Sequence, residues 1–234
     1  MDHIQTRFDE KLESLTEMVL RQGGLVEQAI SRSTQALMER NSALAGEVIE
    51  NDRQINRLEL EIDHLCLELL LLQTPRAGDL RFVTTAMKIN SNLERVGDHA
   101  VNIAERTLEL NEQPPLQPFI DLPAMAGRAE SMISDALNAF VRRDSELALS
   151  TIERDRKLNK MMVKNFRRLV EHARETPDTF EQAVRMSFIT KYLERIGDMA
   201  KNICEQVVFM VKGEVIKHPG AQSDPDPRQE EPGP

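Results

Sequence analysis

Along the second predicted helix the apolar side chains fall at Val48, Ile55, Leu58, Ile62, Leu65, Leu69 and Leu72. From Ile55 onward the spacing alternates three and four, the seam of a helix packed in a coiled-coil-like bundle. No strand pattern of any length appears in the chain. Arg40-Asn41-Ser42 and Arg143-Asp144-Ser145 read as turn-and-cap signals between helices. Thr74-Pro75 and Thr176-Pro177 each read as an N-cap followed by a first helical residue. The halves are joined by NEQPPLQPFIDLPA, Asn111 to Ala124, with its four prolines.

The pattern occurs twice. LERVGDHAVNIAE (Leu93 to Glu105) returns as LERIGDMAKNICE (Leu193 to Glu205), with nine of thirteen positions identical. RNSALAGEVIENDRQIN, Arg40 to Asn56, matches RDSELALSTIERDRKLN, Arg143 to Asn159. The offsets are 103 here, 102 at the Thr-Pro pairs and 100 at the LER string, so only small insertions separate the copies. The chain is therefore an internal duplication of a three-helix unit. The expected fold is all-α, two tandem three-helix bundles over 1–112 and 125–216 with a Pro-rich linker over 113–124. The polar, Pro-rich stretch 217–234 cannot bury a core and is expected to be disordered.

Composition agrees. Hydrophobic residues make up 40% and aromatics only 4%, so the core must come from Leu, Ile, Val, Met and Ala. A net charge of -9 disfavours nucleic acid, whose phosphates it would repel. It leaves cations and basic surfaces as partners. The start is charged and lacks an apolar signal region. The densest apolar run, LCLELLLL, is broken by Glu68 and far too short to cross a bilayer. The chain reads as soluble and cytoplasmic. Cys66 and Cys204 read as small buried side chains, since no CxxC is present.

The repeated string carries the candidate chemistry. On a helix Glu94, Asp98 and Asn102 lie one turn apart, and Glu105 falls back on the same stripe; Glu194, Asp198, Asn202 and Glu205 repeat it. Carboxylates so spaced repel, and need basic side chains or a cation between them. Turn-counting adds a second helix. Asp52 is 22 residues before Thr74 and Val96 is 22 after, which places Asp52 level with the gap between Glu94 and Asp98. Asp155 falls level with the gap between Glu194 and Asp198 in the same way. Asn56 and Asn159 could add amide oxygens, and Glu27, Ser31, Glu130 and Ser134 are weaker candidates from the first helix of each half. Hard oxygen donors suit magnesium, manganese or iron better than a structural zinc, although zinc is possible. Gly97 and Gly197 would leave room for a metal or a neighbouring helix, since mid-helix Gly costs roughly 1 kcal/mol relative to Ala. Arg95 and Arg195 are the rivals for the counter-charge. His99 becomes Met199, which argues against His99 as a shared ligand, and Glu59 becomes Met162, so the two sites are expected to differ in ligand number.

LERVGDHAVNIAE and LERIGDMAKNICE resemble the paired E-x-x-x-D signatures of the PhoU family, over nearly all the chain to about Lys212. The resemblance implies a cytoplasmic negative regulator of the phosphate-starvation response. It would relay the state of the phosphate-specific ABC transporter to a membrane sensor histidine kinase, typically as a homodimer close to the membrane through its partners. It also implies bound metal, including multinuclear iron, at Glu94, Asp98, Glu194 and Asp198, with Asp52 and Asp155 added by turn-counting. Two other readings stand beside it. A di-iron carboxylate oxidase in a helical bundle would want Glu-x-x-His, but Gly97 and Gly197 occupy those positions. A purely structural module would use the acids only to meet a basic partner. No P-loop or nucleophile–base pair is present, so no catalytic residue is assigned.

Overall fold

The computed structural model describes residues 2–72, 77–116 and 120–216. Six helices follow one another: α1 (Asp2–Glu39), α2 (Ser42–Leu72), α3 (Ala77–Asn111), α4 (Leu122–Arg142), α5 (Ser145–Glu175) and α6 (Phe180–Lys212). A single 3₁₀ turn, Pro177–Thr179, leads into α6. No strand occurs among the described residues. The duplication is visible as two helical triples, α1–α3 and α4–α6. They differ in that α1 has 38 residues and α4 only 21.

The turns between the first and second helix of each triple are built alike. Arg40 and Arg143 take left-handed backbone conformations, φ 53° and 52°. The next residue caps the following helix. Asn41 Oδ1 accepts from the Leu44 N–H, and Asp144 Oδ1 accepts from Glu146 and Leu147. A non-glycine residue at positive φ is strained, and both arginines make tertiary contacts from that position. Arg40 donates to the carbonyls of Leu110, Asn111 and Gln113, closing the C-terminus of α3. Arg143 stacks its guanidinium over the Phe82 ring, 5.4 Å from the centroid.

The halves are not two separate cores. α3 and α6 lie antiparallel, tied at one end by Arg185 to Glu109 and at the other by Arg81 to the Met210 carbonyl. One hydrophobic cluster runs through Ile62, Leu93, Ile133, Leu193 and Ile203. Phe82 of the first half stacks on Phe140 of the second at 5.3 Å. α1 and α4 approach so closely that a Cβ on Gly23 would fall 2.3 Å from Leu137 Cδ1. At about 1.5–3 kcal/mol for each large aliphatic side chain buried, the shared layer is a main stabilising element.

Several expectations are revised. α4 begins at Leu122, inside the stretch read as linker, because Asp121 accepts from the Ala124 N–H and Pro123 suits a first turn. Thr176 makes no side-chain cap; its carbonyl instead accepts from the backbone and hydroxyl of Thr179, which winds the 3₁₀ turn ahead of α6. Thr74-Pro75 and the 217–234 tail lie outside the described residues.

Candidate metal centre

The first site joins α2 to α3. Asp52 lies half-buried on α2, with Glu94 half-buried and Asp98 exposed on α3. A Cβ on Gly97 would stand 3.2 Å from Asp52 Oδ1 and 3.1 Å from Ile55 Cδ1. The glycine is thus room for α2 to approach with both its core side chain and its carboxylate. Asp52 Oδ2 accepts from Asn56 Nδ2 at 2.8 Å, while Oδ1 is buried without a hydrogen-bond partner. Burial, then Asp98, Glu59 and Asp52, push the Glu94 carboxyl up to about 7 against the opposing pull of Arg95. Burial also raises Asp52, opposed by Asn56 and helped by Asp98. Burial, Asp63 and Asp98 raise Glu59. Among the described residues none of Asp52, Glu59, Glu94 and Asp98 has an ion-pair partner.

The second site repeats the geometry with a different charge balance. Asp155 is buried on α5, Glu194 is buried on α6, and Asp198 is half-buried. A Cβ on Gly197 would meet Leu158 Cδ2 at 2.3 Å and Asp155 Oδ1 at 3.8 Å. Asp155 Oδ1 is again buried without a hydrogen-bond partner, and Asn159 Nδ2 donates to Oδ2. Here the acids are countered from within. Lys191 pairs with Glu194 at 2.6 Å, Arg195 with Asp198 at 3.3 Å, and Lys201 reaches Asp155 at 3.8 Å. Burial raises Asp198 and Asp155, and Arg195 and Lys191 oppose it at the first, Lys201 at the second.

The repeat shows where the difference comes from. At the offset of 100, Lys191 corresponds to Ser91 and Lys201 to Val101, and at the offset of 103 the extra acid Glu59 corresponds to Met162. Four acids face one arginine in the first site; three acids face three cations in the second. Sequence reasoning singled out the arginines and missed the two lysines, although the same offset displays them.

The remaining candidates are placed as follows. Both asparagines beside the aspartates offer nitrogen, not oxygen, to the carboxylate. Asn202 turns away from the acids and donates to Asn92 Oδ1 at 3.4 Å across α3–α6. Each four-residue step advances about 40° around the helix, so by Asn202 the stripe has rotated toward the neighbouring helix. Asn102, at the matching position of α3, is half-buried. Burial raises the Glu130 carboxyl, and Glu27 adds to it from α1 across to α4. His99 stacks on Tyr192 at 5.9 Å, and burial pushes its pKa down, keeping it neutral. Both cysteines are buried, their thiols pushed up to about 12 by burial first of all, and serve as core side chains.

Among the described residues, no group of three or more His, Cys, Asp or Glu side chains is arranged to hold a metal ion as it stands. Each half does offer a buried, donorless carboxylate oxygen beside a glycine, with further hard oxygen donors one turn away. That donor chemistry fits a hard cation. Among the described residues, no helix is long and apolar enough to cross a membrane.

Known proteins fit this architecture. The PhoU domain family model matches residues 19–107 and again 122–207, one match per half. A phosphate-specific transport system accessory protein PhoU homolog from Aquifex aeolicus is 37% identical over 208 residues, covering 89% of this chain and 94% of that protein. The accessory protein PhoU of Escherichia coli is 34% identical over 218 residues, covering 93% and 90%. The crystal structure of PhoU from Pseudomonas aeruginosa superposes with a TM-score of 0.85 at 34% identity, over 88% of this chain and 100% of that one. PhoU from Streptococcus pneumoniae, a phosphate transport system regulatory protein, gives 0.83 at 30%, over 89% and 99%. With both halves matched and the same fold in two crystal structures, this chain belongs to the PhoU family.

Proposed function

We propose that this chain is an accessory regulator of the phosphate-specific transport system. In this reading it represses the phosphate-starvation response when phosphate is plentiful, by coupling the ABC transporter to a sensor histidine kinase. Support comes from the family match across both halves and from the names of the relatives. No residue is assigned a catalytic role. The chain works by presenting a surface, in the cytoplasm and as a homodimer. Deleting the gene should switch on phosphate-starvation promoters in phosphate-rich medium, and restoring it should silence them. Promoters that stay silent in the deletion strain would refute the reading.

We further propose that a hard cation (iron, manganese or magnesium, with zinc possible) completes the first acidic site. One observation carries this: Asp52 keeps a buried, unpartnered oxygen while it, Glu59 and Asp98 all act on Glu94, and none of the four has an ion pair among the described residues. Asp52, Glu94 and Asp98 would hold the ion, which supplies the positive charge that clamps α2 to α3. The residues themselves set the geometry: Gly97 admits the aspartate, and Asn56 orients it. Asp155, Glu194 and Asp198 would accept an ion only in competition with Lys191, Arg195 and Lys201. Elemental analysis of protein purified without chelator tests this. Bound metal that disappears in Asp98→Asn is expected; absence of metal from the native protein refutes it. Oxygen consumption by iron-loaded protein would favour the oxidase reading instead.

A further inference from the structure

The long hairpin of the second half carries an apolar slot that neither acidic site uses. Phe166 and Val170 of α5 and Phe180 and Val184 of α6 line a cavity of about 360 Å³. Phe166 is 50% exposed and Phe180 61%. Large aromatic side chains this open are unusual on a surface whose chain contains only 4% aromatics. At the equivalent positions of the first half Phe166 is replaced by Asp63 and Val184 by Thr84. Asp63 accepts a hydrogen bond from Asn90, so the first half is polar at those two positions, while Leu67 and Leu80, the counterparts of Val170 and Phe180, stay 52% and 44% exposed.

Beside the slot runs a line of exposed positive charge, Lys160, Lys164 and Arg167, on the outer side of α5. None of the three has an ion-pair partner among the described residues. In a chain of net charge -9 this concentrates attraction for an acidic group along one edge of an apolar groove. The shape narrows the choice further. The slot is concave and lies between α5 and α6, a shape that receives the ridge of a third helix. A bilayer surface would call for protruding side chains instead. On α6 the slot spans Phe180 to Ser187, about two helical turns, or on the order of 12 Å.

We propose that the α5–α6 slot is a docking site for a single amphipathic helix of a partner protein, with large apolar side chains at i, i+3 or i+4, and i+7, and with acidic residues on the flank that faces α5. This surface is independent of the cation at the first acidic site. On α6 it continues, at steps of three and four residues, from Phe180 and Val184 through Ser187 and Lys191 to Glu194 and Asp198. A docked helix would therefore point along the groove toward the second acidic site.

The probe is a labelled 14-residue helical peptide with leucines at i, i+4 and i+7 and glutamates on one flank, followed by fluorescence anisotropy on the full chain. Saturable binding is expected. The double variant Phe166→Ser, Phe180→Ser should weaken it roughly tenfold or more, as truncation of apolar anchors does. Both side chains are at least half exposed, so helical circular dichroism should be unchanged. Lys164→Glu with Arg167→Glu should reverse the preference, so that a lysine-flanked peptide binds better than the glutamate-flanked one. Absence of saturable binding, or binding indifferent to the serine variants, overturns the proposal; equal affinity for both peptides overturns the acidic flank. Two further results would assign the slot elsewhere and overturn the proposal as well. One is loss, in the serine variants, of binding to phosphatidylglycerol vesicles. The other is conversion of a solution dimer to monomer in those variants, seen by analytical ultracentrifugation.

Discussion

The two acidic sites share a backbone plan and differ in how their charge is balanced. Each has an aspartate from the middle helix and an E-x-x-x-D from the third, meeting at a glycine. In the second half Lys191, Arg195 and Lys201 neutralise the acids within the fold. In the first half Ser91 and Val101 replace the lysines, Glu59 adds an acid, and Glu94 is driven up to about 7. The duplication has kept the geometry twice and the internal counter-charge once. The repeated motif marks where acids stand; Lys191, three residues before Glu194, and Lys201, three after Asp198, decide whether those acids are already satisfied.

The largest expected effect breaks the comparison from the second side. Lys191→Met with Lys201→Val leaves the buried Asp155 without a cation and the buried Glu194 with only Arg195, 4.0 Å away. Losing one partner of a fully buried pair costs about 3–5 kcal/mol. The lysines are 38% and 37% exposed, so solvent screening lowers the expected loss to about 1–3 kcal/mol in urea denaturation with chelator present. Added manganese should restore much of that stability, turning the second site into a copy of the first.

Next comes pH. In the metal-free protein the folded-state pKa of Glu94 lies near 7 and its unfolded value near 4.5. The unfolded chain therefore loses this proton first as pH rises, and the native state binds more protons in between. Stability contributed by this group is present below about 4.5 and declines through the window up to about 7. Denaturation midpoints measured with chelator should fall across that range, and Glu94→Gln should flatten the slope. An unchanged slope in the variant would place the titration elsewhere.

The glycines give smaller effects. Gly197→Ala drives a methyl into buried Leu158, 2.3 Å away. Overpacking of about 1–3 kcal/mol should exceed the gain of about 1 kcal/mol from helix propensity. Gly97→Ala meets the movable ends of Ile55 and Asp52 at 3.1 and 3.2 Å, and should change stability by less than about 1 kcal/mol. Thermal melts of the pair check the order; equal losses would mean that the two helix crossings are equally tight.

Much of this was legible in the sequence because helix periodicity and turn-counting are local rules. The heptad-like seam of α2 and the caps at Asn41 and Asp144 follow from them. So does the level of Asp52 and Asp155 against the E-x-x-x-D strings, since a hairpin fixes which residues lie at equal height. What escaped depends on rotation and on contacts between halves. Asn202 shares a stripe with Asp198 on paper, yet a few tens of degrees turn it onto Asn92. Glu27 acts on Glu130 because α1 packs on α4, which no single hairpin predicts. The common core through Phe82 and Phe140 is likewise invisible to a reading that treats each half alone. Lys191 and Lys201 were the avoidable omission. They stand in the repeat alignment, but their weight becomes apparent only once Asp155 and Glu194 are known to be buried.

The proposal that only the first site needs a cation is tested most directly by calorimetric titration of manganese into chelator-stripped native protein, Asp98→Asn and Asp198→Asn. The account predicts that Asp98→Asn abolishes the tightest class of binding while Asp198→Asn leaves it intact. Loss of that class in Asp198→Asn with retention in Asp98→Asn, or equal loss in both, would contradict it.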